Sequence, residues 1–164
     1  MISDLFRNNT DIIKKVWFLR QAGRYLPEYR EIRSKKRNFL DFCFDNKSVL
    51  EATLQPLNRF NLDAAIIFSD ILMLPYGLNQ NVKFEKNFGP ILGEFNLNEV
   101  LDLKEEDFIK KVYPIYNLIN LVKNNHLTNN KSTIGFVGAP WTLLVYMINK
   151  KSPKQNLRAD FYNN

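Results

Sequence analysis

The feature that most constrains the fold is a design repeated along the chain: a short, unbroken apolar run that stops abruptly at polar, glycine or proline residues. Val16-Trp17-Phe18-Leu19 runs into Arg20-Gln21-Ala22-Gly23-Arg24, and Ala64-Ala65-Ile66-Ile67-Phe68 runs into Ser69-Asp70. Ser132 to Val137 likewise ends at Gly138-Ala139-Pro140-Trp141. Such runs, rich in β-formers, read as buried strands opening into loops, and continuous rather than alternating apolarity is expected where helices cover both faces of a sheet.

Helical signals fill the intervals. Pro27 can open a helix with Glu28 and Glu31 in its early turns and Lys35, Lys36 and Arg37 near its end, matching the helix dipole at both poles. Ser48-Val49-Leu50-Glu51 has the form of a capping box, and Leu50, Leu54, Leu57 and Phe60 follow at helical spacing, with Pro56 expected to kink or divide the helix. From Lys104 to Lys123, Phe108, Val112, Ile115, Ile119 and Val122 repeat the helical period around Pro114, which is expected to open a second segment. Thr142 to Ile148 is a further apolar helix. Asn81 to Phe95, around Asn87-Phe88-Gly89-Pro90, suits a hairpin or an excursion outside the main sheet. The resulting β-α-β-α-β series predicts an α/β fold with a parallel sheet. In such folds the loops after the strands carry the functional side chains.

Composition narrows the function classes. With 164 residues, 45% hydrophobic and 24% charged, the chain reads as one globular domain. Its single cysteine, Cys43, lies between Phe42 and Phe44, reads as a small buried hydrophobe and fits a reducing, cytoplasmic setting. No C-x-x-C or Cys/His cluster suggests a metal. Met1 to Lys15 lacks the apolar segment of a secretory signal, and the longest apolar run falls far short of the roughly 18 residues that span a bilayer, so no membrane crossing is expected. Lys and Arg total 23 against 17 acids, for a net charge of +6, which attracts polyanions, either nucleic acid or a small molecule with several carboxylates. Nucleic acid is the weaker expectation, because it calls for basic residues interleaved with exposed aromatics and here most aromatics fall at core spacing. His126, in Asn124-Asn125-His126, is assigned to solvent.

Three blocks, in this order, closely resemble the uroporphyrinogen decarboxylase family. They are Trp17-Phe18-Leu19-Arg20-Gln21-Ala22-Gly23-Arg24-Tyr25-Leu26-Pro27-Glu28-Tyr29-Arg30, then Thr53-Leu54-Gln55-Pro56 leading into Asp63 to Leu72, then Gly135 to Leu143 with Tyr146-Met147. The resemblance runs from Val16 to Ile148 and implies a (β/α)8 TIM-type barrel, of which this chain supplies the first three strands with their helices. Residues 1–164 then form a single partial domain, and the tail, 149–164, diverges from the family pattern. Pro75-Tyr76-Gly77-Leu78-Asn79 also departs from the family's usual Pro-Asp-Ala-Leu-Gly. A complete barrel takes about 250 residues.

The resemblance implies a carboxy-lyase of haem biosynthesis that converts uroporphyrinogen III to coproporphyrinogen III by removing carboxyl groups from four acetate side chains. It implies no metal or organic cofactor, a cytoplasmic homodimer and a tetrapyrrole ligand. Carried over residue by residue, Asp70 and Arg20 are catalytic, and Arg20, Gln21, Ala22, Gly23, Arg24, Arg33, Asp70 and Tyr146 bind substrate. The residue types suit that chemistry. Guanidinium forks hold carboxylates bidentately and stay charged, an ionised carboxylate accepts several N–H donors at once, and an anion in a dry crevice stabilises a cationic intermediate. Arg20 is better read as a carboxylate anchor than as an acid, because arginine does not deprotonate near neutral pH. Three readings stand: a decarboxylase fragment working beside a separate C-terminal half and inactive alone, a non-catalytic remnant of that enzyme, and a small basic nucleic-acid-binding module.

Overall fold

The computed structural model describes residues 15–152, so residues 1–14 of the stretch weighed above as a signal and residues 153–164 of the tail lie outside the described residues. In chain order the elements are α1 (Pro27–Ser34), α2 (Phe39–Phe44), α3 (Asn46–Arg59), β1 (Ala64–Ile66) and α4 (Met73–Gly77). They continue with β2 (Val82–Glu85), β3 (Gly89–Leu92), α5 (Leu97–Leu101), α6 (Glu105–Lys123), a 3-10 turn at His126–Thr128, β4 (Ser132–Ile134) and α7 (Pro140–Asn149). They fall into two compact units, Met1–Ser69 with Tyr113–Phe136 and Asp70–Val112 with Val137–Asn164.

In the first unit β1 pairs with β4 in parallel, Ala64 opposite Ser132 and Ile66 opposite Ile134. Backbone bonds from Ser132 N–H to Asp63 O and from Ile67 N–H to Ile134 O, each 3.0 Å, extend the ladder at both ends. A parallel pair needs a crossover, and the long helix α6 lies between the two strands in sequence. The core joins Leu26, Tyr29 and Ile32 of the α1 region to Phe42, Val49, Ala52, Leu54 and Leu57 of α2 and α3, with Ala65, Ile67, Leu118 and Val122. Phe42 meets Tyr29 and Phe68 edge-on at centroid separations of 5.7 and 5.4 Å. Each such pair adds about 0.5–1.5 kcal/mol beyond its buried area. Cys43 is buried beside them.

Helix ends correct two sequence expectations. Asp45, not Ser48, caps α3, its carboxylate accepting from Ser48 N–H at 3.0 Å, so the helix begins at Asn46. The apparent capping box fails because Asp45 sits three residues before Ser48 and captures that N–H first. Neither proline divides its helix: Pro56 falls in the last turn of α3, and Pro114 lies inside a continuous α6. The helices α2 and α5, not anticipated above, are each capped by an asparagine, Asn38 accepting from Asp41 N–H and Asn96 from Asn98 and Glu99 N–H.

The larger correction concerns the first apolar run. Val16–Leu19 forms no strand; its residues are 41–77% exposed. Val16 bonds just ahead of β1, donating its N–H to the Asp63 carboxylate at 2.8 Å and accepting from Asp63 N–H at 2.9 Å. The edge of β1 beyond that point is already occupied, as described below.

In the second unit β2 and β3 form the expected antiparallel hairpin, with Glu85 opposite Gly89. Its turn places Asn87 at φ 73° and Gly89 at φ 87°, a left-handed region that glycine enters without penalty and asparagine tolerates. A small cluster of Leu72, Val82, Leu92 and Met147 forms its core, with Ile71 and Tyr146 against it. Among the described residues no helix is long and apolar enough to cross a membrane.

Candidate functional site

The loop Arg20–Arg24 is held by four tethers, and each acts on backbone or amide rather than on an arginine head. The Gln21 side chain is buried; its Nε2 donates to Ala64 O at 2.9 Å and its Oε1 accepts from Ile66 N–H at 3.1 Å. The hydroxyl of Tyr25 donates to Gln21 O. Desolvation raises the Tyr25 pKa, the direction that favours the donating form. The Arg30 guanidinium, on α1, donates to Arg24 O at 2.7 Å and to Tyr25 O at 3.3 Å, and Leu26 N–H closes a turn onto Gly23 O at 3.0 Å. The side chains of Arg20 and Arg24 are left exposed on this fixed frame. Gly23 has room for a methyl group, the nearest atom to an added Cβ being the Tyr25 ring at 3.8 Å, so protein packing alone does not demand glycine there.

Arg33 is differently employed. It donates to Lys36 O at 3.1 Å and stacks its guanidinium 5.7 Å from the Phe39 ring centre and 5.9 Å from that of Phe42. These contacts tie it to the α1–α2 connection, although it remains partly exposed. Thr53 in the same unit was not singled out from the sequence: its hydroxyl donates to Val49 O at 2.7 Å and accepts from Phe68 N–H at 3.0 Å, fixing the end of the apolar run that leads to Asp70. It lies in the Thr53-Leu54-Gln55-Pro56 block, which was the available signal.

Asp70 and Tyr146 belong to the second unit. Asp70 opens the turn into α4: its Oδ1 accepts from Leu72 N–H at 2.8 Å and its backbone O from Met73 N–H at 3.2 Å, which sets the carboxylate's direction. It is partly exposed. The neighbouring Ile71 approaches Gly138 so closely that a Cβ there would lie 3.2 Å from the Ile71 Cβ and 2.7 Å from a Leu143 methyl. Gly138 therefore lets the loop after Asp70 pack against the start of α7. Tyr146, three residues beyond Leu143 on α7, packs, as Ile71 does, against the small core and shares a 3.3 Å hydrogen bond with Ser152. Among the described residues, no three His, Cys, Asp or Glu side chains are grouped to hold a metal ion.

Residues 7–164, which include all these loops, match the family model described as Uroporphyrinogen decarboxylase (URO-D). The chain belongs to the uroporphyrinogen decarboxylase family. It is 46% identical over 159 residues to the uroporphyrinogen decarboxylase of Rickettsia felis, covering 97% of this chain and 45% of that protein. To the enzyme of the same name from Rickettsia canadensis it is 48% identical over 153 residues, covering 93% of this chain and 44% of the relative. The chain thus spans about half the length of the curated relatives it matches. Within the uroporphyrinogen decarboxylase family frame, Arg20–Arg24 and Arg33 lie in the first unit, and Asp70 and Tyr146 in the second.

Proposed function

We propose that this chain carries the first part of a uroporphyrinogen decarboxylase site and serves the removal of acetate carboxyl groups from uroporphyrinogen III to give coproporphyrinogen III. The observation that carries the reading is the family match across residues 7–164, which takes in both the arginine loop and the Asp70 turn. In this reading Arg20 and Arg24 anchor substrate carboxylates with their exposed guanidinium groups, Ala22 and Gly23 offer backbone N–H groups, and Arg33 and Tyr146 add contacts at the periphery. The Asp70 carboxylate accepts the pyrrole N–H groups and stabilises the cation formed when a pyrrole carbon is protonated. That cation is the electron sink for loss of carbon dioxide, a role needing neither metal nor organic cofactor. Low polarity around such an ion pair strengthens it relative to water.

The parallel β1–β4 pair supports assignment to a partial (β/α)8 barrel. Closure calls for the remaining strands, whether in the same polypeptide or in a separate C-terminal half, and a cytoplasmic homodimer follows the family. The test is conversion of uroporphyrinogen to coproporphyrinogen by the purified 164-residue chain, alone and with the missing part of the Rickettsia felis relative. Little or no turnover alone, and turnover once complemented, is expected. Robust turnover alone would overturn the need for closure, and none in either case would favour a non-catalytic remnant. In the complemented form Asp70→Gly abolishes turnover while Lys110→Ala leaves it nearly intact; equal effects would remove Asp70 from the mechanism.

A further inference from the structure

The ladder of β1 has two edges. The Asp63 carbonyl and the Ile67 N–H face β4, as the bonds Ser132 N–H to Asp63 O and Ile67 N–H to Ile134 O record. Because strand residues alternate in direction, Ala64 O and Ile66 N–H point to the opposite edge, where a further strand's peptide groups would bond. In this structure a side chain stands there instead. The carboxamide of Gln21 presents one N–H donor and one carbonyl acceptor, the same pair a peptide unit offers, and engages Ala64 O at 2.9 Å and Ile66 N–H at 3.1 Å. The residue is 3% exposed, and no other side chain of the Arg20–Arg24 loop is buried in this way.

We propose that Gln21 is a positioning residue: its carboxamide substitutes for a strand peptide on the free edge of β1 and so fixes the loop that presents Arg20 and Arg24. Its side chain is spent on the sheet and does not contact substrate. This rests on the functional reading above only where it says what the arginines are for. The latch operates on backbone atoms forty-three and forty-five residues away, and its backbone carbonyl, held by the Tyr25 hydroxyl, passes the constraint to the far end of the loop.

The experiment is amide hydrogen exchange of the full chain by NMR, comparing the wild type with Gln21→Met, which keeps length and apolar packing but removes both hydrogen bonds. Ile66 N–H and Leu26 N–H, the latter reporting the Gly23 turn, should exchange roughly tenfold faster. Val49, fully buried in α3, should keep its protection and show that the fold survives. Unchanged exchange at Ile66 would overturn the latch, and faster exchange at Ile66 with Leu26 unchanged would overturn its control of the loop. Fluorescence titration with uroporphyrin III, a stable octacarboxylate, separates this from the site reading. Weaker binding in Gln21→Met together with faster exchange is expected, and lost binding with unchanged exchange would make Gln21 a direct ligand contact. If Arg20→Ala and Arg24→Ala leave binding unaltered, the tetrapyrrole reading fails while the exchange data still decide the latch.

Discussion

Val16–Leu19 and Ala64–Ile67 are alike as sequences and opposite as structures. Both are short, wholly apolar and followed at once by a polar loop. Yet Ala64 and Ala65 are fully buried with their backbone paired to β4, whereas Leu19 is 77% exposed and lies outside any strand. Side-chain character is therefore not what separates them. The backbone of Ala64–Ile66 has partners on both sides, β4 on one and the Gln21 carboxamide on the other, while among the described residues Val16–Leu19 is bonded beside the sheet only at Val16. An apolar run becomes a strand when its peptide groups find partners, because buried N–H and C=O groups left unpaired cost about 1–3 kcal/mol each.

The sharpest way to break this contrast is to place the same charge in both runs. Ala65→Asp places a carboxylate at a fully buried position and is expected to unfold the chain, since its cost of several kcal/mol rivals the whole stability of a small domain. Leu19→Asp should shift stability by no more than about 0.5 kcal/mol, as exposed substitutions do. Urea denaturation followed by circular dichroism reads both; comparable losses would mean that the first run is buried in solution. Next in size, Phe42→Ala removes the ring on which Phe68, the last residue of the second run, packs edge-on, and should cost about 3–5 kcal/mol by the same assay.

A smaller effect tests the corrected helix start. Asp45→Ala should cost about 1 kcal/mol at neutral pH by removing the α3 cap. The hydrogen bond from Ser48 holds the Asp45 carboxyl below its usual pKa, with Lys36 adding to the effect. A depressed folded-state pKa gives stability that is present above the unfolded value and lost as pH falls through the folded one. The gap between wild type and Asp45→Ala should therefore close below about pH 4, the ordinary carboxyl range. A gap that persisted into stronger acid would exclude Asp45 as the source.

Much of the architecture was legible because it depends on local pattern. The hairpin at Val82–Leu92, the long helix ending at Lys123 and the parallel relation of β1 and β4 all follow from periodicity and turn chemistry. What misled were competitions among neighbours, such as Asp45 against Ser48 for one N–H, and the continuity of helices through Pro56 and Pro114. The loops bearing the candidate site residues were legible from their motifs. The division of labour within the Arg20–Arg24 loop was not, because Gln21 meets its partners across more than forty residues and no spacing rule encodes that contact.

The pairing of Ala64 with Ser132 has a consequence in time. During synthesis at about 5–20 residues per second, β1 leaves the ribosome roughly 3–14 s before β4 does. For that interval a fully apolar strand has no neighbour on its β4 side, while the Gln21 amide, made earlier, is already available to its other edge. Protection of the nascent chain thus begins from the N-terminal side, and the seconds before Ser132 appears are when self-association competes most strongly with folding.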